Sequence, residues 1–110
     1  KPPQSRQQIT RMKNVLTYIR NNYGEPITLD ELAAVAGMSS RYFCRAFAAL
    51  TGRTPIAYLN YYRIECACER LTLTDKSVTE IAFACGFNDM SYFSRVFKQL
   101  KGTTPTAYRN

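Results

Sequence analysis

Apolar residues recur at three- and four-residue spacing along most of the chain, which is the period of a helix face. Ile9, Met12, Val15, Leu16 and Ile19 predict an amphipathic helix from about Arg6 to Asn22, ended by Tyr23-Gly24-Glu25-Pro26. Leu29, Leu32, Ala33, Val35 and Ala36 predict a short helix that stops at Gly37. Thr28 with Glu31 three residues on makes a capping box at its start. Ser39 can cap a further helix to about Leu50, with Phe43, Ala46, Phe47 and Leu50 on its buried face. Thr54-Pro55 opens a longer helix over Ile56 to Leu71, proline being suited to the first helical position. Its expected inner face is Ala57, Asn60 or Tyr61, Ile64, Ala67 or Cys68, and Leu71. A second capping box, Ser77 with Glu80, starts a helix over Val78 to Cys85 that ends at Gly86. Asp89 can cap the next helix, to about Lys101, with Phe93, Val96, Phe97 and Leu100 inward. Thr104-Pro105 opens a last turn, and no segment alternates strongly enough to predict a strand.

Two of these stretches are copies. Gly37 to Tyr58 aligns with Gly86 to Tyr108, pairing Phe43 with Phe93, Arg45 with Arg95, Phe47 with Phe97 and Gly52 with Gly102. Thr54-Pro55 pairs with Thr104-Pro105, and Tyr58 with Tyr108. The offset is 86 − 37 = 49 at the first glycine and 95 − 45 = 50 from the helix onward, so the second turn holds one extra residue. A repeat of this length is the main organising feature of the chain. Each copy is a short capped helix, a glycine turn and a second helix, the outline of a helix-turn-helix.

The fold class that follows is all-α, with about seven helices in two helix-turn-helix subdomains joined by a long bridging helix. By residue number, 1–8 reads as a linker or the edge of a fragment and 9–55 as the N-terminal subdomain. The bridging helix is placed at 56–74 and the C-terminal subdomain at 75–110.

In a helix-turn-helix the second helix enters the major groove. Its outward face in the first copy is Ser40, Arg41, Cys44, Arg45 and Ala48; in the second it is Met90, Ser91, Ser94, Arg95 and Lys98. These faces are small or basic, and a guanidinium can donate two hydrogen bonds to guanine, worth about 1–3 kcal/mol of discrimination. The candidate DNA-binding residues are therefore Ser40, Arg41, Cys44, Arg45, Met90, Ser91, Ser94 and Arg95. Tyr42 and Tyr92 leave two readings open, packing at the helix edge or touching phosphate. Helix starts at Leu29, Pro55 and Val78 are candidates for phosphate contact. A bridging helix of 16 residues, Ile56 to Leu71, is about 24 Å long. It would let two reading heads reach grooves one DNA turn, about 34 Å, apart.

Charge agrees with this reading. Lys and Arg total 15 against 8 Asp and Glu, a net +7 that suits a polyanionic partner. Between Ser39 and Arg53 there are three arginines and no acid, and no acid follows Asp89. Catalysis is not expected: there is no histidine, no glycine-rich phosphate loop and no G-x-S-x-G. Asp30 and Glu31 are accounted for by capping, and Glu65 and Glu69 by an exposed helix face. No metal or cofactor is expected either. Cys44, Cys66, Cys68 and Cys85 lack paired C-x-x-C spacing and read as free, mostly buried thiols in a reducing cytoplasm. Without an apolar run of membrane-spanning length, a membrane is not an expected partner. The competing class is a helical protein-interaction module that does not bind DNA.

These residues also carry a family resemblance. The chain resembles the DNA-binding domain of the AraC/XylS family of bacterial transcription regulators. The most specific positions are Ile81-Ala82, Gly86-Phe87, Tyr92-Phe93, Arg95, Phe97-Lys98, Gly102, Thr104-Pro105 and Tyr108-Arg109. Leu32-Ala33, Phe43, Arg45, Phe47, Gly52, Arg63-Ile64 and Ala67 match as well. The resemblance implies seven helices, a rigid bridging helix, double-stranded promoter DNA as partner and recruitment of RNA polymerase, usually as an activator. Its base-contacting slots fall on the same eight residues. It also implies that a small-molecule effector, where there is one, acts through a separate domain. Arg70 departs from the family pattern, standing where a second apolar residue is usual, which predicts a more exposed end to the bridging helix.

Overall fold

The computed structural model describes residues 6–110; the stretch Lys1–Ser5, expected to be a linker, lies outside the described residues. Among the described residues there are seven α-helices and no strand: α1 (Arg6–Asn22), α2 (Leu29–Ala36), α3 (Ser40–Thr51), α4 (Pro55–Leu73), α5 (Val78–Ala84), α6 (Met90–Lys101) and α7 (Pro105–Arg109). Helix α1 starts at Arg6, as the apolar spacing predicts, so residues 6–8 belong to it rather than to a linker. The chain forms two compact units. One takes the residues up to Asn22 with Ile27–Tyr58, and the other takes Tyr23–Pro26 with Leu59–Asn110.

Both capping boxes form as the sequence predicts. The Thr28 hydroxyl accepts from the Glu31 amide at 3.1 Å, and Glu31 accepts from the Thr28 amide at 3.3 Å. Ser77 and Glu80 repeat this at 3.0 and 3.1 Å. The Tyr18 hydroxyl first, and the Thr28 amide after it, hold the Glu31 carboxyl below its ordinary value of 4.5. The Ser77 amide does the same for Glu80. A carboxyl whose pKa is depressed by folding stabilises the fold above its ordinary value, and that contribution is lost as pH falls through the folded pKa. The melting temperature should therefore fall as pH drops below 4.5. The Glu31→Gln/Glu80→Gln double variant, which keeps the caps but cannot titrate, should flatten that dependence. A slope unchanged in the double variant would assign the acid sensitivity elsewhere.

The two glycine turns close in the same way. Gly37 (φ +70°) donates to the Ala34 carbonyl while Met38 donates to Ala33; Gly86 (φ +97°) donates to Phe83 while Phe87 donates to Ala82. All four bonds are 3.0 Å. After that the second turn is longer by Asn88, and Ser39 and Asp89 cap α3 and α6 through the amides of Tyr42 and Tyr92.

The N-terminal unit is built on Met12, Val15 and Ile19 of α1, Leu32, Ala33 and Ala36 of α2, and Phe43, Ala46 and Phe47 of α3, all buried. The C-terminal core joins Ile64, Ala67, Cys68 and Leu71 of α4 to Ile81 and Ala82 of α5 and Phe93, Val96 and Phe97 of α6. Aromatic spacing repeats between copies: Phe43–Phe47–Tyr58 has ring separations of 5.5 and 5.7 Å, and Phe93–Phe97–Tyr108 of 5.7 and 5.6 Å.

Three sequence expectations are corrected. Leu50 and Leu100 are not core: they are 41% and 40% exposed, in final turns that run past the aromatic layer before Gly52 and Gly102. On α4, Ile64, Ala67, Cys68 and Leu71 are buried as expected, but Leu59 and Arg63 join them and Ala57 is exposed. A charged side chain is rarely buried unless it is paired, so helical spacing alone gives no inward signal at Arg63. The end of α4 is not exposed at Arg70, which is half-buried, with its guanidinium donating to the Tyr23 hydroxyl at 2.9 Å and the Cys85 sulfur at 3.2 Å. Beyond Leu71 the helix end is exposed, Leu73 at 73%.

Candidate nucleic-acid interface

α3 and α6 are the second helices of the two helix-turn-helix motifs, and each presents the predicted face. On α3, Arg41 and Arg45 are exposed, while Ser40 and Cys44 are half-buried. Phe43, Ala46 and Phe47 anchor the opposite side in the core, so the arginines stand one turn apart on the outer side. Ser40 is engaged within its own motif, its hydroxyl donating to the Asp30 carboxylate of α2. On α6, Ser91, Ser94 and Arg95 are exposed and Met90 is half-buried, partly packed against the C-terminal core. Lys98 is exposed one turn beyond Ser94 and extends this basic face. It stood on the outward face in the sequence but outside the eight candidates. Lys101 is committed elsewhere, in an ion pair with Glu65 that raises its pKa.

Both tyrosines left open by the sequence make contacts within the chain. Tyr42 lies within 3.4 Å of the Gln8 side-chain amide of α1. The Tyr92 hydroxyl accepts from Asn60 Nδ2 of α4 at 2.6 Å. The Tyr92 ring lies 6.1 Å from that of Phe87 and has the Arg95 guanidinium over it at 5.4 Å from its centroid. The helix starts considered for phosphate each have their own side-chain cap: Thr28 at α2, Thr54 at α4 and Ser77 at α5. At α2 and α5 the capping carboxylates of Glu31 and Glu80 also place negative charge where a phosphate would approach.

Arg63, one of the family-matching positions, has contacts that helical spacing did not predict. It is 8% exposed, and its guanidinium donates to the Tyr23 carbonyl through Nε and the Glu25 carbonyl through Nη2, both at 2.8 Å. Its Cζ lies 5.8 Å from the Phe87 ring centroid, beside the glycine turn that delivers α6. Burial lowers its pKa from the ordinary arginine value, and the two carbonyls compensate the desolvation. The signal for it in the sequence is the family match at Arg63-Ile64.

Cys68 and Cys85 are buried and Cys44 and Cys66 half-buried, all as free thiols. Burial pushes the thiols of Cys66, Cys68 and Cys85 up, which disfavours thiolate chemistry there. No described helix is long and apolar enough to cross a membrane.

A model of the helix-turn-helix domain matches residues 32–110. YdeC of Bacillus subtilis, an uncharacterized HTH-type transcriptional regulator, is 36% identical over 81 residues, covering 74% of this chain and 28% of YdeC. The HTH-type transcriptional activator RhaS of Klebsiella pneumoniae is 38% identical over 79 residues, covering 72% of this chain and 28% of its own. The chain thus spans 28% of the length of these relatives. Among solved structures, the DNA-binding domain of AdpA in complex with a target DNA is 34% identical with a TM-score of 0.86, covering 90% of this chain and 89% of that one. A transcriptional regulator of the AraC-type DNA-binding-domain group from Chromobacterium violaceum is 29% identical with a TM-score of 0.83, covering 92% and 90%. With two helix-turn-helix motifs folded on one repeated pattern and this set of relatives, the chain belongs to the AraC/XylS family of helix-turn-helix transcription regulators.

Proposed function

We propose that the chain binds double-stranded DNA sequence-specifically, with α3 and α6 each reading major-groove base edges. The observation that carries this is the repetition of one outward face, with Arg45 and Arg95 in the same slot of two separately folded motifs. The likeness to the AdpA domain, whose structure contains target DNA, supports it. Arg45 and Arg95 are assigned to base contact, Arg41 to the same helix face, and Ser40, Cys44, Met90, Ser91 and Ser94 to the shorter contacts around them. Ser40 would exchange Asp30 for a base or phosphate on binding. Promoter DNA as target, activation through RNA polymerase and effector control through a separate domain complete the proposal and rest on the family alone.

Selection of bound sequences from a random duplex library, followed by salt titration of the winners, tests this reading. Two short enriched motifs are expected, with affinity falling steeply in salt as phosphate counterions are released. Arg45→Ala should relax one motif and Arg95→Ala the other. Each should lose about 1–3 kcal/mol of base discrimination. No enrichment, with weak and salt-insensitive binding, would overturn the DNA reading in favour of a protein-interaction module.

A further inference from the structure

Resting on the DNA-binding reading above, we infer that Asn60 and Tyr92 are positioning residues for base recognition, holding the Arg95 guanidinium pre-aimed before DNA arrives. All three residues belong to the C-terminal unit. Tyr92 is restrained at three points. Its amide donates to Asp89 Oδ1 at 3.1 Å, its ring packs beside Phe87, and its hydroxyl accepts from Asn60 Nδ2 at 2.6 Å. Tyr92 and Arg95 are three residues apart on α6, the spacing at which helical side chains meet. The guanidinium at 5.4 Å from the ring centroid is within cation–π range. An exposed arginine otherwise samples many rotamers, and that freedom is lost on binding. A side chain already parked on a fixed ring loses less of it and is offered to fewer wrong base edges.

The same device is only half-built in the other motif. Tyr42, the counterpart of Tyr92, faces a side-chain amide from the preceding long helix, Gln8, but at 3.4 Å rather than 2.6 Å. Among the described residues of α3 and α6, the arginine stacked on a tyrosine ring is on α6. The consequence is an asymmetry: discrimination at the base pair read by Arg95 depends on Asn60, a residue of α4 rather than of the reading helix.

The test uses the full 110-residue chain and its selected duplex. Tyr92→Leu should lower the preference for the matched base at the Arg95 position by roughly 2- to 5-fold, the range expected for an exposed cation–π contact. Asn60→Ala should produce part of that loss. Both should leave the motif read by α3 and the salt slope unchanged, and neither should add to Arg95→Ala. In the free protein, NMR should show ring-current-shifted Arg95 side-chain protons that move toward random-coil values in both variants. Uniform loss of affinity across all sequences, or additivity with Arg95→Ala, would overturn the inference by reducing both residues to structural ones. Absence of the ring-current shift in the free wild-type chain would overturn it independently of DNA. A normal shift with no enriched motif would sink the DNA reading, and this inference with it.

Discussion

Gly86→Ala should be the most damaging single methyl group in the protein. A Cβ at position 86 would lie 2.2 Å from the Tyr23 carbonyl oxygen and 2.6 Å from Arg63 Nε. The backbone there has φ +97°, which L side chains rarely adopt. Strain of roughly 1–3 kcal/mol therefore adds to overpacking of about 1–3 kcal/mol. Relief would require moving the Tyr23 backbone or breaking the bond it accepts from Arg63. Gly52→Ala and Gly102→Ala are the controls. They also have positive φ, at +80° and +75°, but a Cβ there meets nothing within 4 Å. Each should cost only about 1–2 kcal/mol, the left-handed penalty alone. Urea midpoints of the three variants decide the matter. Equal losses would mean that close packing at Gly86 contributes nothing.

The second large effect is expected at Arg63. Arg63→Met keeps the aliphatic stem on the buried face of α4 but strips the donors from the Tyr23 and Glu25 carbonyls. Leaving a buried acceptor unpaired costs about 1–3 kcal/mol, and Glu25, which is exposed, can recruit water, so about 1–3 kcal/mol is expected in total. Arg63→Lys should fall between, because one ammonium cannot reproduce the two-carbonyl fork. Since Gly86 packs on the same guanidinium, the two sites should couple, the double variant losing less than the sum. Hydrogen exchange should show the Gly86 and Phe87 amides losing protection in Arg63→Met, because Arg63 borders that turn. Protection and urea midpoint both unchanged would demote Arg63 to a tolerated charge.

Much of the candidate interface was legible from residue pattern alone. Arg45 and Arg95 can be placed on outer faces because Phe43, Phe47, Phe93 and Phe97 fix the inner ones at helical spacing. Thr28–Glu31 and Ser77–Glu80 announce helix starts through bonds that are local in sequence. Long-range pairing was less legible. Leu50 and Leu100 have the right spacing to be core, yet where the packed layer ends depends on what lies opposite, and neither is covered. On α4 the spacing places Ile64, Ala67, Cys68 and Leu71 inward but leaves out Arg63, for the converse reason. An arginine is a poor core residue unless carbonyls meet it, and Tyr23 and Glu25 are 40 and 38 residues away.

The chain by itself determined seven helices, their caps, the duplication and the basic outer faces. These depend on interactions within a turn or two and on periodicity, which a linear sequence encodes directly. Tertiary structure alone decided that Arg63 braces the Gly86 turn, that Arg70 closes onto Tyr23 and Cys85, and that Asn60 anchors the tyrosine beneath Arg95. Each is a directional contact between residues distant in sequence. Such contacts require angstrom-scale placement of two elements, which no spacing rule along a single chain specifies.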